Sequence, residues 1–199
     1  MLPTGRARQT PSRAPRCTCV RQRMPTVLIP AESLKLTGYE DPADLRRTDS
    51  SPPASTRDPA RRAGELMGLG DITGTTVPKL TLLAAPRHGG AVTTRTFIPV
   101  RAHTSIGVLG AASVAAGLRI DGGVGAPVAV LPEDGDRLRI EHPTGFLDIE
   151  SSVGAGPDGL PAARRTAVVR TARKIFDGTV FPRAADPARP PAPTSGGQR

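Results

Sequence analysis

A chain of 199 residues holds one domain or two small ones. Its formal charge of +9 sits in the tails: residues 1–26 carry six arginines and no acid, 183–199 carry three arginines and one aspartate, and 27–182 are nearly balanced. With one tyrosine, four phenylalanines and no tryptophan, this argues against a basic, aromatic nucleic-acid face.

Residues 1–26 form a low-complexity Arg/Pro/Thr segment and are expected to be disordered. They contain no apolar run of the kind a secretory signal needs, and Pro3, Pro11, Pro15 and Pro25 interrupt any targeting helix. Cys17 and Cys19 lie in this segment, one residue apart and poorly placed for an unstrained disulfide. No second cysteine pair or matching histidine follows, so no metal site is expected. The absence of a disulfide framework points to a reducing, cytoplasmic setting. No apolar run reaches the roughly 20 residues that span a bilayer, so no membrane partner is expected.

Order is expected to begin with a short strand at 26–29. A polar loop near 39–57 holds Pro42, Pro52 and Pro53. Asp58 then reads as an N-cap and Pro59 as the first residue of a helix that runs to Met67. Residues 78–85 and 91–100 read as strands of a hairpin joined through Pro86-Arg87-His88-Gly89-Gly90. Residues 104–118 contain no charge and are rich in Gly, Ala and Ser. A helix apolar on every side must be buried. Gly122 and Gly123 mark a turn after it. Further strands are expected at 128–131, 137–141, 146–153 and 166–173, with a Pro-, Ala- and Gly-rich disordered tail at 183–199. The sum is an α+β domain, strands around one central buried helix.

The N-terminal end of that helix would present free N–H groups, a ready anion site. His103, Thr104 and Ser105 stand at the junction. They read either as a capping sequence with a satisfied histidine or as catalytic and binding groups: Thr104 or Ser105 capping the helix and donating to a carboxylate, His103 transferring a proton. Arg95, on the strand that enters the junction, is either a solvated residue or a bidentate carboxylate clamp. His142-Pro143-Thr144-Gly145 is either a simple turn or a loop offering the Thr144 hydroxyl and a backbone N–H, with Gly145 allowing close approach. Arg170, Arg173 and Lys174 read as a surface strand with a possible carboxylate contact. Lys79 and His88 read as solvated. No P-loop, nucleophile elbow, HExxH or dinucleotide fingerprint is present.

Five segments in order, VLIPAESLKLTG at 27–38, PKLTLLAAP at 78–86, RTFIPVRAHTSIGVLGAASVAA at 95–116, HPTGFLDIE at 142–150 and VVRTARKIFDGTVFP at 168–182, resemble the PrpF-like family of methylaconitate isomerases and 4-oxalomesaconate tautomerases. The resemblance implies a diaminopimelate-epimerase-like lobe, a curled, mostly antiparallel sheet around a central helix. In that family two such lobes flank the active site. It implies that 27–182 form a single lobe corresponding to the family's second half. The Lys and Cys described for the first half have no counterpart here.

The implied reaction moves a C=C bond in an unsaturated di- or tricarboxylate by proton transfer, without metal or organic cofactor. His103 and Ser105 would be catalytic. Arg95, Thr104, His142, Thr144 and Gly145 would bind the substrate. The implied partners are a small-molecule carboxylate and a missing N-terminal lobe or a second copy of the chain. A non-catalytic carboxylate-binding remnant and a truncated gene product remain the competing readings.

Overall fold

The computed structural model describes residues 1–7, 15–47, 54–98 and 101–181. Eight strands form one sheet: β1 (Thr18–Arg21), β2 (Pro25–Pro30), β3 (Lys79–Ala84), β4 (Val92–Ile98), β5 (Arg101–Ala102), β6 (Arg137–His142), β7 (Gly145–Ala155) and β8 (Pro161–Val169). Their order is β1-β2-β3-β4-β6-β7-β8, with β5 paired to β4. The β2/β3 and β4/β6 pairs are parallel and the rest antiparallel. Among the described residues three helices join them, α1 (Pro42–Arg47), α2 (Ala54–Leu66) and α3 (Val108–Leu118), with a 3-10 turn at Ala31–Leu34.

Alternation along the strands divides the core in two. Val20, Leu28, Leu83, Val92, Leu138, Ile140 and Ile149 face α3, where Ala111, Val114, Ala115 and Leu118 meet them. Cys19, Val27, Ile29, Leu80, Leu82 and Phe97 face the other way, against Ala60, Ala63 and Met67. Strands covered on both faces read as continuous apolar runs, as LTLLA in β3 does.

The sheet curls because both of its ends reach the same helix. α3 touches β1 and β2 at one end and β6, β7 and β8 at the other. The two edges approach closely enough for the Gln22 side-chain amide, just after β1, to donate to Thr166 Oγ1 of β8 at 3.0 Å. A helix held inside such a sheet must be thin. A Cβ on Gly117 would overlap Leu28 and Val20, which accounts for the Gly/Ala/Ser composition of α3. The expected α+β lobe, with its curled and mostly antiparallel sheet around one buried helix, is the observed fold. Among the described residues, no helix is long and apolar enough to cross a membrane.

Several local expectations are corrected. The first 26 residues are not an unstructured tail: β1 pairs with β2, Leu2 is buried, and Arg21 N–H donates to Met1 O at 2.9 Å. Cys17 and Cys19 are free thiols, buried in the α2-side core. At spacing two on a strand both side chains point inward, a role that arginine-rich composition conceals. The loop near 39–57 contains α1, and α2 starts at Ala54 with Pro59 inside it, not at an Asp58 cap. Residues 128–131 form no strand; Val130 N–H only donates to Ala91 O at 2.9 Å. The last strand is Pro161–Val169 and not 166–173, because a turn at 156–160 returns the chain earlier against β7. Arg170, Arg173 and Lys174 thus fall beyond it, on an exposed segment without regular secondary structure. The expected tail at 183–199 lies outside the described residues.

Candidate functional site

The helix begins later than its apolar run suggests. Gly107 is the N-cap, in extended backbone and with no side-chain capping bond, and the first helical hydrogen bond runs from Ala111 N–H to Gly107 O at 2.8 Å. Thr104 and Ser105 therefore do not cap α3. Burial of Ile106 in the core draws the chain inward before the helix can start, and Ser105 is engaged elsewhere. Its N–H donates to His103 Nδ1 at 3.1 Å and its hydroxyl lies 3.3 Å from the same atom, so 103–105 form a tight turn. Ser105 O also lies 3.1 Å from Nδ1, so the backbone and the hydroxyl of Ser105 together hold this face of the imidazole.

The β6–β7 hairpin reaches over to this turn. Thr144 Oγ1 donates to Thr104 O at 3.0 Å, and His142 Nδ1 is 3.3 Å from the same hydroxyl. His142 pairs with Gly145 across the hairpin. Burial pushes the His142 pKa below its ordinary value, and the positive fields of Arg95 and His103 add to this against a hydrogen bond with the Phe146 backbone. His142 is thus neutral at neutral pH.

Arg95 is not solvated. It is 8% exposed; its Nε donates to Glu40 O at 2.6 Å and its Nη1 to Thr94 O at 2.9 Å. Burial lowers its pKa against the fields of Glu40 and Asp41. Two carbonyls fix the guanidinium in place, and Nη2 takes no part in either bond. Of the seven residues singled out from the sequence, His103, Thr104 and Ser105 form the turn before α3 and the His142–Gly145 hairpin meets it through Thr144; Arg95, paired with Leu82 on the α2-facing side of β4, reaches the cluster only through its field on His142.

That end is open. His103, Thr104, Gly107, Val108 and Leu109 are exposed, as is Phe146 on the hairpin. Within this chain the polar cluster at the helix end lies on an open face edged by the apolar side chains of Val108, Leu109 and Phe146. The arrangement can offer an anion the uncapped N–H groups of the first helical turn, hydroxyls from Ser105 and Thr144, two imidazoles and a fixed guanidinium.

Sequence reasoning missed Glu141. It is 3% exposed, and its carboxylate accepts from the N–H groups of Arg87, His88 and Gly90 and from Thr93 Oγ1 at 2.6–2.9 Å. Burial alone would raise its pKa, but these four donors outweigh it and hold the pKa at about 2. No local signal marked it: the alternation of RLRIE puts Glu141 on the charged face with Arg137 and Arg139, and its burial follows only from the pairing of β4 with β6. His88, expected to be solvated, contributes its backbone to this cluster.

A PrpF protein family model matches residues 1–183. The chain is 44% identical over 184 residues to "(4E)-oxalomesaconate Delta-isomerase" of Novosphingobium sp. (strain KA1), covering 91% of this chain and 49% of that protein. It is 42% identical over 181 residues to "4-oxalomesaconate tautomerase" of Pseudomonas putida, covering 90% of this chain and 48% of that protein. The chain therefore spans about half the length of the curated relatives it matches. Among solved structures, methylitaconate-delta-isomerase superimposes with a TM-score of 0.70 at 18% identity, over 84% of this chain and 50% of that one; this likeness concerns the fold.

Proposed function

The chain belongs to the PrpF protein family, and from that premise we propose that it serves to shift a C=C bond in an unsaturated di- or tricarboxylate of the methylaconitate or oxalomesaconate type. A base removes a proton from the carbon next to the conjugated system. The electron pair moves the double bond and delocalises onto a carboxylate or carbonyl oxygen. A proton then returns at the far carbon, and substrate and product are isomers. The chemistry asks for a placed acid/base and for donors aimed at the developing oxyanion, and for no cofactor.

His103 and Ser105 are the catalytic pair in this reading. His103 moves the proton, and Ser105 holds His103 Nδ1 and offers its hydroxyl to the oxyanion. Arg95, Thr104, His142, Thr144 and Gly145 bind the carboxylates together with the open end of α3. A second lobe or another copy of the chain completes the site by covering the open face. The meeting of the 103–105 turn and the 142–145 hairpin beside the uncapped start of α3 carries the reading, supported by the activities for which the two relatives are named.

Proton exchange tests it. The chain is incubated with aconitate-type acids in deuterated water and label is followed by NMR. Exchange is expected, and Ser105→Leu should abolish it. Acids that neither exchange nor raise the melting temperature would overturn the proposal. Stabilisation without exchange would instead favour a carboxylate-binding remnant, a reading suggested by the openness of the face.

A further inference from the structure

The joint between the two parts of the sheet is short. β4 and β6 run together for two residue pairs, Val92↔Ile140 and Thr93↔Glu141, whereas β3/β4 has five pairs and β6/β7 six. The candidate site straddles this joint. Arg95 lies on β4, and the 103–105 turn is tied to β4 through β5 and through His103 N–H donating to Thr96 O at 2.8 Å. His142, Thr144 and Gly145 lie on the other side, in the β6–β7 hairpin.

Glu141 sits at the joint and precedes His142. Besides the four donors to its carboxylate, its main-chain carbonyl accepts from Thr94 Oγ1 at 2.7 Å. All five donors (Arg87, His88, Gly90, Thr93 and Thr94) belong to β4 or to the loop leading into it. The fit is close: a Cβ on Gly90 would stand 2.7 Å from Glu141 Cγ and 2.8 Å from Oε1.

We propose that Glu141 is a positioning residue, the clasp that holds the 142–145 hairpin against β4 and so sets His142 and Thr144 at their working distance from Arg95, His103 and Thr104. It touches no substrate and acts through His142 next to it. The proposal rests on the reading of this face as the reacting site, but its primary readout does not need turnover.

That readout is the titration of His142, followed by NMR of the imidazole and assigned with His142→Gln. Burial of the hairpin against its surroundings depresses this titration first, and Arg95 and His103 add to it while they are close; both effects weaken if the hairpin moves away from β4. Glu141→Gln and Thr93→Val each weaken the clasp, Thr93→Val by a single donor, so a folded variant is obtained even where Glu141→Gln fails. In every folded variant the His142 midpoint is expected to shift upward toward the ordinary histidine value, and any exchange to fall by about a hundredfold. Arg137→Ala, which breaks an ion pair with Asp148 elsewhere on β6–β7, should leave His142 where it is. An unmoved His142 in folded Glu141→Gln and Thr93→Val overturns the proposal and leaves Glu141 a structural residue. A wild-type chain without exchange, whose His142 nonetheless moves in the variants, supports the clasp and counts against the isomerase reading alone.

Discussion

Two buried acids dominate the residue scale, and both make the fold sensitive to acid. Glu141 is held at about 2 against an ordinary 4.5, and Asp148 at about 2 against 3.8, the latter chiefly by the hydrogen bond from Arg139, with Arg137 assisting against burial. For each, the folded state prefers the ionised form. The stabilisation is therefore complete above the unfolded pKa and is lost as the pH falls toward about 2. For the buried Glu141 it amounts to about 3 kcal/mol. Denaturant titrations should give constant stability from neutral pH to about 5 and a decline below that. Glu141→Gln should lower stability at pH 7 by about 2–3 kcal/mol and flatten part of the acid slope. An unchanged slope would show that the carboxylate is not ionised in the fold.

At the scale of elements, α3 departs from what propensity favours. Alanine is the better helix former by about 1 kcal/mol, yet Gly117→Ala places a methyl group against Leu28 and Val20. Overpacking of this kind costs about 1–3 kcal/mol, so a lower melting temperature is expected despite the gain in propensity. A higher one would mean that the sheet is looser around α3 than its contacts indicate. The same element shows what the sequence disclosed and what it hid. A charge-free run of Gly, Ala and Ser announces a buried helix. Where it begins is decided by Ile106, whose burial delays the first turn to Val108 and leaves Gly107 as the cap. Thr104 and Ser105 are good capping residues by type, and here they build the turn before the helix instead. In the same way, the alternation in RLRIE marks β6, but nothing in it tells that Glu141 meets the loop before β4.

At the scale of the whole molecule, the most exposed apolar side chains among the described residues lie along one segment. After β8 the chain runs out through Ile175, Phe176, Val180 and Phe181, which are 66–95% exposed. Such a cluster drives association. Light scattering at rising protein concentration should show a growing mass, and Phe176→Ser with Phe181→Ser should suppress the growth. A monodisperse monomer at high concentration would mean that these side chains find cover within the chain.

What this sequence determined by itself is local and periodic: the buried helix, the strands with their alternating faces, and the residue types able to handle an organic acid. These follow from nearest-neighbour chemistry, which a linear chain displays directly. The tertiary structure alone decided that the arginine-rich beginning supplies an inward-facing strand, that the helix tip lies on an open face, and that Glu141 joins the two parts of the sheet. Each of these depends on a partner distant in the chain, 51 residues away for the bond from Gly90 to Glu141. Pairings at such separation are set by how the sheet closes around the helix, and no local pattern records them.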